Sequence, residues 1–169
     1  MLASYTLRLL ITGTTSLFRP RAQLVDDLDI PLVAWLSDID WNGHVNNGRF
    51  LTLMDQGRLD HIARTGLMRA CFKIGVNAVV ANASIKFRRE VRPYVRHRLF
   101  TRISSWDERR TYFTQRIERD GELCAQAEIA LALRYKGRTI SLAELLTLAG
   151  VGMPEALAAL QTSAPKLSA

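Results

Sequence analysis

A chain of 169 residues is long enough for one domain with its own hydrophobic core. Hydrophobic residues at 48% and charged residues at 23% are the balance of a globular protein rather than a disordered one. Two cysteines, Cys71 and Cys124, are too few for a disulfide framework and lack companion ligands at zinc-site spacing; a reduced, cytoplasmic protein with no metal or other cofactor is expected.

The net charge of +7 is carried by 19 Arg against 4 Lys. The arginine fork suits phosphate groups. A basic surface would suit a phosphorylated ligand, nucleic acid or an anionic membrane equally, or would simply be solvated. No RNA-binding aromatic motif or helix-turn-helix pattern accompanies the charge, so nucleic acid is not expected as a partner.

In chain order, Met1 to Phe18 leans apolar but includes Arg8, Gly13 and several Ser and Thr. It is too short and polar for a membrane span, and it lacks the basic start and cleavage site of a signal peptide. An amphipathic helix is expected, packed on a partner subunit or lying on a membrane, with protein packing favoured. Asp26 to Pro31 reads as a linker, which makes residues 1–31 a segment ahead of a domain over 32–140. Leu32 to Leu36 reads as a short apolar strand. A long helix is expected from about Asn47 to Arg64, stopping at Thr65-Gly66, with Asn46 or Asn47 as its cap. Its apolar residues cover most of the circumference, which marks a buried helix. Asp60 reads as a surface charge paired with Arg64 one turn on. Gly57 in the middle costs about 1 kcal/mol relative to Ala, which close approach to a sheet or ligand would explain.

From Asn77 onward the period changes to two. Ala83/Ile85/Phe87, Leu99/Thr101/Ile103, Phe113/Gln115/Ile117 and Leu123 through Tyr135 give four antiparallel strands with one buried face. Asp107-Glu108 and Asp120-Gly121 supply turns. The segment 141–169 is expected to hold a short helix over Ser141 to Ala149, a second after Pro154, and a disordered tail from Gln161.

The chemistry concentrates in one place. Between Asp40 and Asn47 the chain packs a carboxylate, an imidazole (His44) and three amides (Asn42, Asn46, Asn47), where a loop becomes a helix. Backbone donors and the positive end of a helix dipole occur at such a place. A carboxylate beside such donors can attack a polarised carbonyl, or activate water against it.

The run Asp38-x-Asp40-x-x-Gly43-His44-Val45-Asn46-Asn47 resembles the signature of hot-dog-fold acyl-CoA thioesterases of the 4-hydroxybenzoyl-CoA thioesterase type, and is similar to a run in plant acyl-carrier-protein thioesterases. Arg49 to Asp60 looks like that fold's central helix. The resemblance implies an α+β fold, an antiparallel sheet wrapped around a long helix, in the order strand, helix, four strands. It also implies hydrolysis of an acyl thioester, carried by CoA or acyl carrier protein, in a homodimer or tetramer, and the aliphatic lining of the helix then points to a fatty acyl chain rather than a small aromatic one. By the same resemblance, Asp40 is the catalytic carboxylate, Asn47 donates to the thioester carbonyl, and Asn42 and His44 contribute. A further Glu of the plant enzymes has no counterpart here.

Read from the residues alone, each candidate keeps a plainer role. Asp40 would shape an Asx turn, and nucleophile and general base are not separable. His44 would brace the loop, and Asn42 and Asn46, which are candidates to orient water or the thioester, would otherwise form turns or caps. Asp55, on the helix, is a secondary carboxylate candidate. Arg88 and Arg89, in the densest basic stretch, are phosphate candidates or solvated charge. The alternative function is a non-catalytic acyl-CoA or lipid-binding module.

Overall fold

A computed structural model describes residues 2–162, with side chains from Tyr5 onward. The period-two segments form strands β2 (Asn77–Phe87), β3 (Arg96–Trp106), β4 (Thr111–Arg119) and β5 (Glu122–Tyr135). With β1 (Leu28–Val33) and the short β6 (Arg138–Ile140) they make one antiparallel sheet in the order β1-β3-β4-β5-β2, β6 pairing with β5. The concave face presents Leu99, Ile103, Phe113, Ile117, Ala127 and Ile129, all buried, to the long helix α2 (Phe50–Arg64). A 3₁₀ turn over Asn47–Arg49 leads into that helix. This is the hot-dog arrangement.

Gly57 confirms how tightly helix and sheet meet. A Cβ there would run into the Thr101 hydroxyl and lie 2.9 Å from Leu99 Cδ2 and 3.0 Å from Gln115 Nε2. Only a residue without a side chain lets the helix lie this close. Gln115 fills the gap beside it, its amide donating to Met54 O and Thr101 Oγ1 at 2.9 Å each.

Four expectations need correction. The first strand lies at Leu28–Val33 rather than Leu32–Leu36, and part of the expected linker belongs to it. Pro31 suggests a break, but β1 is an edge strand bonded only to β3, where a residue without an N–H is tolerated. Leu36 instead stands exposed in a 3₁₀ turn over Leu36–Asp38. Asp60 is not a surface charge: it is buried beneath the N-terminal helix α1 (Leu2–Ser16). Its carboxylate accepts from Ser16 Oγ at 2.7 Å and from Arg19 and Arg64 at 3.4 and 3.3 Å. α1 in turn packs on α2 of its own chain, and does so through its polar side.

The fourth correction concerns the C-terminal segment. After α4 (Leu142–Ala149) and the short α5 (Glu155–Ala158), Thr162 N donates to Trp106 O at 2.9 Å and the Trp106 indole donates to Leu157 O at 2.8 Å. Gln161 and Thr162 are therefore clasped to the end of β3. The rest of the expected tail, 163–169, lies outside the described residues. A helix with no counterpart in the sequence reading, α3 (Leu67–Ile74), fills the gap between α2 and α4.

Candidate active site

The motif folds back on itself before the helix begins. Asp40 N donates to His44 O at 3.0 Å, Gly43 N donates to Asp40 O at 3.1 Å, and Ile39 and Val45 form an antiparallel bridge. Gly43 sits at φ +78°, a backbone region that disfavours other residues and that this reversal requires. Asn46 caps the 3₁₀ turn over Asn47–Arg49, its side chain accepting from Gly48 N at 2.9 Å, whereas α2 itself starts after Arg49, which makes no side-chain cap, so neither Asn46 nor Asn47 caps the long helix directly.

The two acids of the motif have separate fates. Asp38 is wholly buried, with 0% side-chain exposure. Its carboxylate takes Arg8 Nη2 at 2.5 Å, Arg49 Nη2 at 3.0 Å and the backbone N–H of Trp35 at 2.9 Å. Arg8 also donates to Val33 O at 3.0 Å and stacks 3.8 Å above the Trp35 ring. One carboxylate thus ties together α1, the end of β1 and the start of α2. Asp40 retains 18% side-chain exposure and receives one hydrogen bond, from Asn42 N at 2.9 Å. Its Oδ1 lies 3.7 Å from His44 Nδ1.

Beyond His44 a cleft of about 230 Å³ opens. His44, Asn47, Phe50, Phe87, Arg88 and Arg89 line it, with Val45, Glu90 and Val91. Phe50 and Phe87 meet edge to face, centroids 4.9 Å apart. The structure therefore brings four of the sequence candidates, His44, Asn47, Arg88 and Arg89, to one cleft. It sets Asp40 behind His44 rather than in the wall. Arg88 is held by its backbone to Cys124 O at 2.8 Å, and Arg89 pairs with Glu122 at 3.1 Å. Asn42 is exposed in the turn beyond Asp40.

Asp55 is drawn elsewhere. Its carboxylate accepts from the Tyr5 hydroxyl at 3.1 Å and pairs with Arg58. Arg58 is buried and also donates to Gln115 Oε1 at 2.5 Å. Burial pushes the Arg58 pKa down and Asp55 pulls it back up, while burial and then Asp55 raise the Tyr5 pKa. A carboxylate so matched has little capacity left for a substrate. Sequence reasoning missed Phe50, Phe87, Glu90 and Val91 as cleft residues. The alternation of β2 and the position of Phe50 just past the motif were the available signals. Among the described residues, no group of three or more His, Cys, Asp or Glu side chains is placed to hold a metal ion.

A sheet curled around one helix, with a polar loop at the helix start, defines the hot-dog class. Residues 34–160 match the family model of the thioesterase-like superfamily, and the chain belongs to that family. Protein THEM6 of Xenopus laevis is 35% identical over 79 residues, 47% of this chain. That match spans only 38% of the relative's length. Among solved structures, a probable thioesterase from Bartonella henselae superposes with TM-score 0.63 at 23% identity, covering 69% of this chain and 99% of that one. A DHNA-CoA thioesterase from Staphylococcus aureus gives TM-score 0.60 at 18% identity, covering 70% and 82%. At such identities the structural likeness speaks for the fold alone.

Proposed function

We propose that this chain is a homodimeric acyl-CoA thioesterase that hydrolyses a fatty acyl thioester to free acid and CoA, with Asp40 as its carboxylate. The observation that carries the reading is the convergence of His44, Asn47, Arg88 and Arg89 on one cleft, with Asp40 3.7 Å behind His44. The thioester carbonyl would accept from the Asn47 amide. Asp40 would either attack that carbonyl, expelling the CoA thiolate and leaving an acyl anhydride that water opens, or take a proton from a water held beside His44, and that water attacks the carbonyl and expels the thiolate. Arg88 and Arg89 would meet the CoA phosphates. Family membership and a neighbour named for a CoA thioester support this substrate class.

The edge of the sheet supports the dimer. β2 pairs with β5 on one side only and leaves Val79, Val80 and Phe87 exposed. An exposed apolar edge invites pairing with another strand. Phe87 belongs both to that edge and to the cleft. A second copy along β2 would enlarge a cleft that is small for a ligand site, since such sites usually run to ~300 Å³ or more. Sedimentation as a monomer at micromolar concentration would remove the shared-site model.

The binding-module reading rests on one observation: Asp40 is bonded in an Asx turn and does not itself line the cleft. A free-thiol assay over a panel of acyl-CoAs separates the two. Asp40→Asn should lower kcat by roughly 10²–10⁴ while acyl-CoA still binds. Asp55→Asn is the control; if it abolishes turnover and Asp40→Asn does not, the carboxylate lies on the helix. Wild-type protein that releases no thiol from any acyl-CoA or acyl carrier protein favours the binding module.

A further inference from the structure

Helix α1 is amphipathic in the inverse sense. Its inward stripe is polar: Arg8, Thr12 and Ser16, one turn apart, are all buried against the body. Arg8 reaches Asp38, Ser16 reaches Asp60, and Tyr5 reaches Asp55. Its outward side is largely apolar. Leu7, Leu10 and Ile11 on the helix are 50%, 61% and 48% exposed, and Leu17 and Phe18, just past its end, 78% and 89%, with the exposed Thr6, Thr14 and Thr15 among them. A single exposed leucine needs no explanation, but five large apolar side chains on one short segment do.

Charge selects what covers it. Residues 2–18 contain no acidic side chain, and the exposed Arg21 follows, in a chain of net charge +7. That charge suits anionic head groups. Among the described residues, no helix is long and apolar enough to cross a membrane.

We propose that α1 is an interfacial helix whose outward apolar residues Leu7, Leu10 and Ile11, with Leu17 and Phe18 just past its end, dock this protein on an anionic lipid surface. An ordinary interfacial helix turns its polar side to water. Here the domain occupies that side, and the Arg8–Asp38 ion pair and the Ser16–Asp60 hydrogen bond tie the attached helix to the helix–sheet body. The Arg8–Asp38 pair also places the motif loop next to the attached helix. The proposal stands independently of the hydrolytic reading.

The test floats the full-length protein on two kinds of vesicle, phosphatidylcholine alone and an equal mixture of phosphatidylcholine and phosphatidylglycerol. Wild-type protein should rise with the mixed vesicles, and less so as salt increases. The double variant Leu10→Asp/Ile11→Asp should partition at least about a hundredfold more weakly, with its sedimentation mass and its urea unfolding midpoint unchanged. Leu17→Ser/Phe18→Ser, beyond the end of the helix, should lower binding in the same direction should the first variant fold poorly. Wild-type protein that floats with neither vesicle overturns the proposal. So does an aspartate variant that floats like wild type. A variant whose main change is a fall in oligomer mass also overturns it, because a second copy then covers that side.

Discussion

At the start of α2 the amides of Asn42 and Asn47 face solvent and Asp40 receives a single hydrogen bond, whereas from Asp55 to Arg64 the same helix has its charges matched. There Asp55 holds Tyr5 and Arg58, and Asp60 holds Ser16, Arg19 and Arg64. The difference separates two uses of polar groups. A carboxylate matched by several donors has its lone pairs occupied and fixes one element against another. One that receives a single hydrogen bond keeps capacity for a ligand. The contrast repeats within three residues of the motif: Asp38 anchors, and Asp40 is left with free capacity.

Breaking the anchor should have the largest effect. Asp38→Ala leaves Arg8 and Arg49 without their carboxylate, one of them buried. Removing one member of a buried ion pair typically costs about 3–5 kcal/mol. Urea unfolding should show a lower midpoint at unchanged slope. Asp40→Asn, assayed alongside, should stay within about 0.5 kcal/mol of wild type. Equal shifts in the two variants would dissolve the distinction between anchor and site.

A smaller effect tests the crowded part of α2 by pH. His61 is fully buried, edge-on to Phe113, with neither ring nitrogen hydrogen-bonded among the described residues. Burial is the main cause that pushes its pKa down from 6.5 to about 4. Between those values the unfolded chain takes up a proton that the folded chain refuses, so stability falls as pH falls through that window. The loss amounts to about 3 kcal/mol at the acid end. Unfolding curves at neutral pH and near pH 4 should differ accordingly, and His61→Phe should remove that part of the difference. Persistence of the full slope in His61→Phe would assign it to other groups.

The smallest effect sharpens the other side. Arg88→Ala/Arg89→Ala should raise KM for acyl-CoA several-fold with kcat preserved, about 1 kcal/mol per exposed contact at most. The rise should shrink with added salt. An unchanged KM at low salt would make these residues plain surface charge.

The sheet and central helix were legible because burial imposes periods that the sequence records directly. Leu99, Thr101 and Ile103 alternate in the chain and are all buried on the sheet. Gly57 was legible for the same reason, as a costly residue that only close packing excuses. β1 was misread because Pro31 is a breaker in most settings, and edge position is a property of the whole sheet. Asp60 was misread because its solvent was removed by α1, which lies 44 residues away in sequence. α1 could be recognised as a helix, but which face turned inward depended on carboxylates at 38, 55 and 60 that its own sequence does not mention. α3 was readable and overlooked: Leu67, Ala70, Cys71 and Ile74 keep helical spacing between Gly66 and Gly75. At the site, the motif marked the loop, while the cleft wall needed Phe87 to Val91 brought across from the end of β2.

The placement of Trp35 against Arg8 has an optical consequence. The three indoles occupy three different settings: Trp35 lies under the guanidinium of α1, Trp41 is fully exposed at the tip of the motif turn, and Trp106 is buried with its N–H on Leu157 O. Their emission should therefore report on separate parts of the molecule. Detachment of α1 would uncover Trp35, a ligand over the motif turn would shield Trp41, and release of the C-terminal clasp would free Trp106. Single-tryptophan versions of this chain would carry built-in gauges for the anchor, the candidate site and the clasp, with no added label.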